Sequence, residues 1–273
     1  MATDNATLSH LRHRIAALES NGGNNGVGAG HNVISFGLAA IDAHLPAGGL
    51  TGGCVHEITG GSGSATAFAA ALVGRAQRLH RPPVIWIAPR VGQRESLYGP
   101  GLAAFGLDPA ALIVVRIPGH SHTGAAQALW AMEEALRTPT VGAVCAEIDA
   151  IGLTASRRLQ LAAKAGGTFG LLLRGTFNSA GDAIAPNASV SRWQITSAPS
   201  APALPTSLPG TTRWQVELRR VRGGKPHHWL LEWHHDPDCD TAGGFALAAA
   251  PSNRPAVPAA AGNPPEKTAA LAG

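Results

Sequence analysis

Cysteine is scarce: the chain has three in 273 residues, at Cys54, Cys145 and Cys239. None forms a C-x-x-C pair, and the set is odd and widely spaced, which argues against a zinc ribbon or a disulfide framework. Reduced thiols in a cytoplasmic protein are the plain expectation. Charge is also sparse, at 14% of residues with a formal net of +4. That mildly basic balance, with a pI near 9.4, is compatible with nucleic acid nearby without being diagnostic of it. No apolar run approaches the roughly 20 residues of a membrane span. The first apolar residues, Leu8, Leu11, Ile15 and Leu18, are interleaved with Arg and His, unlike a signal peptide. The expectation is a soluble, cytoplasmic protein with no membrane contact.

What the chain has in quantity is small and apolar residues: 45% hydrophobic, with 34 glycines and 20 prolines. That is enough for one domain of about 200 residues with a sizeable core, plus disordered ends. Four segments follow. Residues 1–20 hold the three- and four-residue spacing of Leu8, Leu11, Ile15 and Leu18, one face of an amphipathic helix suited to docking on its own domain or on a partner. Residues 21–32 are a Gly/Asn-rich linker. Residues 33–245 carry the core, and 246–273 form an Ala/Pro-rich tail that reads as disordered.

Within the core, apolar runs alternate with helical patterns. Val55–Ile58, Val84–Ala88, Leu112–Val115, Val141–Ile148 and Gly170–Leu173 read as buried strands; Thr66–Leu79, Leu97–Phe105, Thr123–Arg137 and Thr154–Ala165 read as helices. Such alternation implies a mainly parallel sheet covered on both faces. Later strands, Ser189–Ile195, Trp214–Leu218 and Trp229–Trp233, alternate apolar with polar residues. The last two flank Gly223-Gly224, which predicts an antiparallel hairpin with a buried aromatic face. Ser197–Thr212, rich in Pro, Ser and Ala, reads as a mobile loop.

Gly60-Gly61-Ser62-Gly63-Ser64-Ala65-Thr66-Ala67 lies between a strand and a helix, the setting of a phosphate-binding loop. A working loop reads G-x-x-x-x-G-K-[ST], with the Lys on the outer phosphates and the hydroxyl on magnesium. Counted from Gly60, the second glycine is Ala65, the Lys is Thr66 and the Ser/Thr is Ala67. Ser62 and Ser64 cannot replace the cation that phosphoryl transfer needs. The expectation is a vestigial phosphate loop, no bound cofactor and no ATPase activity.

Leu45–Ile58, with Gly48-Gly49-Leu50 and Glu57-Ile58, resembles the approach to the nucleotide loop of RecA recombinases. Tyr98–Val115 and Arg213–Trp233 resemble later RecA blocks. With the eroded loop and the Arg222-Gly223-Gly224-Lys225-Pro226 and Trp229-Leu230-Leu231-Glu232-Trp233 ending, the chain most closely resembles the ImuA family, RecA-like mutagenesis proteins also related to SulA-type proteins. The resemblance implies an α/β, RecA-like core ending in an antiparallel hairpin. It also implies an accessory role in DNA-damage-induced, error-prone translesion synthesis (the SOS response). The implied partners are an ImuB-like Y-family polymerase homologue, RecA and an error-prone C-family DNA polymerase. A SulA-like cell-division regulator and a divergent DNA-stimulated ATPase are the alternatives.

The remaining candidates are weaker. Glu147 or Asp149 stands where RecA-like proteins place a magnesium-side carboxylate, whereas Ala88-Pro89-Arg90-Val91 lacks the carboxylate that activates water, and Glu95 comes later. Arg213, Arg219, Arg220, Arg222 and Lys225 cluster on the hairpin as DNA-contact candidates, against the alternative of a sheet edge protected by its charges. Trp214, Trp229 and Trp233 read as core. The histidines at 120, 122, 234 and 235 are not expected to bind metal, because adjacent side chains of an extended run diverge.

Overall fold

Short β-branched and aromatic runs pair early and late in the chain, with helices between them. The computed structural model describes residues 33–80, 83–90, 97–118, 122–148, 150–174, 187–200, 210–234 and 243–248. The proposed N-terminal helix and linker lie outside these residues, as does the tail beyond 248.

A small antiparallel pair, β1 (Val33–Ile34) and β2 (Leu50–Thr51), flanks the single-turn helix α1 (Ala39–Asp42). Next come β3 (Val55–Gly60), helix α2 (Ser62–His80), β4 (Val84–Arg90), helix α3 (Gly99–Ala104) and β5 (Leu112–Pro118). Helix α4 (His122–Arg137), β6 (Ala143–Glu147), helix α5 (Leu153–Gly166) and β7 (Phe169–Arg174) follow. The chain then runs through β8 (Ser191–Ala198), β9 (Arg213–Val221), β10 (His227–His234) and β11 (Gly244–Leu247). Among the described residues these last nine strands form one sheet, in the order β11-β10-β9-β8-β3-β7-β6-β4-β5. The six strands from β8 to β5 pair in parallel, and β9 to β11 add on antiparallel. The architecture is the expected one: an α/β fold with a mainly parallel sheet and an antiparallel hairpin at its C-terminal side.

The sheet separates two cores. On one face lies α2, whose Ala65, Ala69, Ala70, Ala71 and Ala76 are buried with Phe68, Leu72 and Val73. Alanine suits this helix twice over, by its helix propensity and by permitting close approach to the sheet. At Gly74 the helix presses instead on the turn between residues 104 and 109: a Cβ would lie 2.3 Å from the carbonyl oxygen of Gly106. The aromatic side chains of the antiparallel half point to the same face. Trp193, Trp214 and Phe68 are fully buried, and burial of each such ring contributes roughly 2–3 kcal/mol. Trp229 and Trp233 are buried with them, as the alternation predicted.

On the other face α4 and α5 bury Met132, Leu136, Leu159 and Ala163 against Val55, Val144 and Leu172. Helix α5 ends at Gly167, which takes the left-handed conformation (φ 70°) and returns its N–H to Ala163. Glu133, buried on α4, accepts from Arg137 at 2.5 Å and from Arg158 of α5 at 2.6 Å, tying the two helices together.

Three local readings change. Helix α2 starts four residues before Thr66. Strand β6 is shorter than Val141–Ile148. Ala246 and Leu247, placed by the sequence reading in the tail, pair with Glu232 and Leu231 as part of β11. Phe245, buried against Phe36, Phe68 and Trp233, is the apolar anchor of that short strand.

Candidate functional site

Strand β3 lies inside the sheet between β7 and β8, and the chain leaves its carboxyl end directly into α2. In open α/β sheets this is where ligands gather. Here the connection is one residue, Gly61. Gly60 makes the turn with φ 150° in the last β3 position, where a Cβ would stand 2.1 Å from the carbonyl oxygen of Ile195. From Ser62 on, the backbone is helical, and Ala65 N–H already donates to the Gly61 carbonyl at 2.9 Å. The Ser64 hydroxyl is spent on that same carbonyl, at 3.1 Å. Ala65 is fully buried, and Ala67 packs against the core. The stretch Gly60–Ala67 is therefore mostly the opening of a helix that buries Ala65 and leaves Gly61 and Gly63 exposed. Its residue composition suggested a loop, but alanine at 65 and 67 lets the helix begin early and press onto the sheet.

Glu147 is the last residue of β6. Its carboxylate accepts the indole N–H of Trp86 at 2.7 Å, on the sheet face that α2 covers. Burial together with Glu147 pushes the neighbouring Cys145 thiol well above its ordinary pKa, so that thiol stays protonated. Asp149 and Glu95 lie outside the described residues, as do the side chains of His120, His122 and His235. His234 sits 3.3 Å from Glu232.

The densest polar cluster is one the sequence reading passed over. Glu57, in the middle of β3, is fully buried. One carboxylate oxygen accepts from Arg174 of β7 at 2.7 Å. The other accepts from Arg192 of β8 at 2.7 Å and from the Asn187 amide at 3.0 Å. One carboxylate thus faces two guanidinium groups at the seam between three parallel strands. The signal was present: a lone acid inside an otherwise apolar strand requires a buried partner.

The hairpin cations divide into distinct groups. Arg213 is ion-paired with Glu232 across β9 and β10, both mostly buried. Arg219 pairs with Glu217 at 3.0 Å on the exposed surface. Between Arg220 and Leu218 the register against β8 slips by one residue, a bulge that leaves Arg219 unmatched. The slip turns Arg220 to the same side as Arg192, away from the tryptophan core. There its guanidinium donates to the backbone carbonyls of Asn187 and Ser189. Arg222 and Lys225 lie exposed at the Gly223-Gly224 turn, where Gly223 adopts φ 79°. Two of the five candidates, Arg213 and Arg219, are thus ion-paired, while Arg220, Arg222 and Lys225 make no ion pair within the described residues.

Beside Arg220 runs an open groove of about 610 Å³ between α5 and the end of β9. Leu153, Arg157 and Leu161 of α5 form one wall; Ser189, Arg220 and Arg222 line the other side. Arg157 did not stand out in the sequence, because nothing local distinguishes it from its ion-paired neighbour Arg158.

Comparison with known proteins gives these features a context. The chain is 39% identical over 211 residues to Protein ImuA of Caulobacter vibrioides, an alignment covering 73% of this chain and 83% of that protein. The ImuA of a second strain of the same organism matches equally. The chain belongs to the ImuA family. No family model matches it. This ImuA-family chain thus combines a mainly parallel α/β sheet, a one-residue turn at the central strand end and a basic groove beside a buried Glu–Arg cluster. Among its described residues no helix is long and apolar enough to cross a membrane.

Proposed function

We propose that this ImuA-family chain is a non-catalytic accessory protein of DNA-damage-induced, error-prone translesion synthesis. It works in the cytoplasm through protein–protein contacts, with an ImuB-like Y-family polymerase homologue, RecA and an error-prone C-family polymerase as partners. The observation that carries the non-catalytic part is the turn after β3. Phosphoryl transfer from a bound nucleotide uses a loop of outward backbone N–H groups and a cation on the outer phosphates; here Gly61 alone joins strand to helix, Thr66 stands where the Lys would be, and Ala65 is buried. The domain from 33 to 245 serves as a scaffold, and the N-terminal helix with Leu8, Leu11, Ile15 and Leu18 docks on a partner. With Arg213 and Arg219 engaged in ion pairs and Arg220 and Arg222 lining the groove beside β9, Lys225 is the hairpin cation left for direct DNA contact.

On this reading, ATP chemistry is not restored by side-chain replacement. The double variant Thr66→Lys/Ala67→Thr is expected to show no ATP hydrolysis above background, with or without single-stranded DNA, because position 67 packs on the core from within a helix. Turnover by that variant, or by the wild type, would overturn the non-catalytic reading. The accessory role is tested in cells. Deleting the gene is expected to abolish damage-induced mutagenesis, and tagged protein from DNA-damaged cells should recover RecA or the polymerase homologue. Normal mutagenesis after deletion would exclude the role.

A further inference from the structure

The groove beside β9 has three properties that the fold does not require. Its first property is unspent positive charge. Several other arginines are neutralised: Arg158 by Glu133, Arg174 and Arg192 by Glu57, Arg213 by Glu232, Arg219 by Glu217. Arg157, Arg220 and Arg222 line the groove with no carboxylate among its lining residues, and none of the three makes an ion pair within the described residues. Three guanidinium groups gathered without an acid repel one another, so their placement calls for an anionic occupant.

The second property is preorganisation. Arg220 is aimed by two backbone carbonyls, and Asn187, which supplies one of them, is itself fixed to Glu57 at 3.0 Å. Both contacts fall on Nη2, so a guanidinium held this way keeps its Nε and Nη1 donors for single hydrogen bonds to carboxylate oxygens at little entropic cost. On the same wall the Ser189 hydroxyl is buried without a hydrogen-bond partner, which is uncommon for such a group.

The third property decides the kind of occupant. Leu153 is 45% and Leu161 67% exposed, on the stripe of α5 that includes Arg157. Eight helical residues separate the two leucines by about 12 Å. A nucleic-acid backbone has no use for two exposed leucines, and the groove offers no aromatic platform for bases. An acidic peptide with apolar side chains uses all of it: carboxylates on the arginines and apolar anchors on the leucines at either end.

We propose that this groove docks an acidic segment of a partner protein bearing two apolar anchors, with Arg157, Arg220 and Arg222 reading the carboxylates and Leu153 and Leu161 the anchors. The proposal deepens the protein-contact reading above and rests on it. The test is selection from a random twelve-residue peptide display library on the full chain, followed by fluorescence anisotropy with the selected peptides and with a twenty-nucleotide oligo(dT). The enriched peptides are expected to carry at least two Asp or Glu and two large apolar residues. Their affinity should fall at least tenfold for R157E/R222E and, separately, for L161S. All three positions are exposed, so an unchanged melting temperature verifies folding. The proposal is overturned if no acidic-apolar class is enriched or if the enriched peptides ignore the variants. It is equally overturned if oligo(dT) binding is lost in R157E/R222E while L161S has no effect on any ligand, which would make the groove a nucleic-acid site. Cells separate the two claims: R157E/R222E with normal damage-induced mutagenesis removes the groove from the function, whereas normal mutagenesis in the gene deletion removes the accessory role and leaves the peptide binding standing.

Discussion

Replacing Glu57 with alanine is expected to lower the stability of the domain by about 3–5 kcal/mol, the cost typical of breaking a buried ion pair from one side. The reason is asymmetry. Glu57 is fully buried between Arg174 and Arg192, whose side chains are 7% and 18% exposed. Removing the acid takes from both guanidinium groups their shared carboxylate at a site with little water. For a domain of about 200 residues this corresponds to a fall of roughly 10 °C in melting temperature. Glu57→Gln should fall between the two, since the amide keeps the volume and one acceptor but neutralises neither arginine. Differential scanning calorimetry at pH 7 checks the series; an alanine variant melting within about 2 °C of wild type would mean that the cluster relaxes into solvent. The variant reaches further than stability. Asn187 is fixed by Glu57, and Arg220 is fixed by Asn187 and Ser189, so the peptide groove should loosen when the carboxylate is lost.

Periodicity made the sheet legible. Runs such as Val84–Ala88 and the alternation of Trp214, Val216 and Leu218 depend on local burial, which a sequence records directly. The same logic placed the hairpin around Gly223-Gly224. It failed at Ser62–Ala65, where glycines and serines suggested a loop. Ala65 and Ala67 decided otherwise, because small side chains there let the helix dock onto the sheet from its first turn. It also failed for β11, four residues that pair only because Phe245 enters the aromatic core. Tertiary packing outweighed local propensity in both places.

The candidate site was legible in composition but not in arrangement. The sequence shows clustered arginines on one hairpin; it does not show that Arg213 and Arg219 are engaged in ion pairs or that a one-residue bulge reverses Arg220. Nor does it bring Arg157, more than sixty positions upstream, to the same groove. Charge neutralisation is a property of neighbours across strands. For this chain, which cations are available to a partner is therefore decided by sheet order, β8 beside β3 and β9 beside β8.

Acidification should destabilise the fold through His56. The ring is fully buried; it approaches the Thr51 carbonyl through Nε2 at 2.9 Å and the Ser191 hydroxyl through Nδ1 at 2.7 Å. The Ser191 oxygen in turn accepts the Trp193 indole N–H at 2.8 Å. The neutral ring with its proton on Nε2 fits this chain: it donates to Thr51 and accepts from Ser191. Burial lowers its pKa from 6.5 to about 4, only partly opposed by the hydrogen bond to Thr51. The sign follows. Between these values the unfolded chain takes up a proton that the folded chain refuses, so stability is fully present above pH 6.5 and declines as pH falls toward 4. The full loss is about 3 kcal/mol. Urea midpoints at pH 7, 6, 5 and 4 for wild type and for His56→Gln isolate this group from the carboxylates that titrate in both proteins. The variant should be less stable at pH 7, where it loses the ring's packing, yet its acid limb should be shallower by up to one proton near pH 5. Parallel curves across the whole range would show that the ring is protonated at no cost, and that water or a carboxylate reaches it where, among the described residues, the geometry places Thr51, Ser191 and the Phe169 ring.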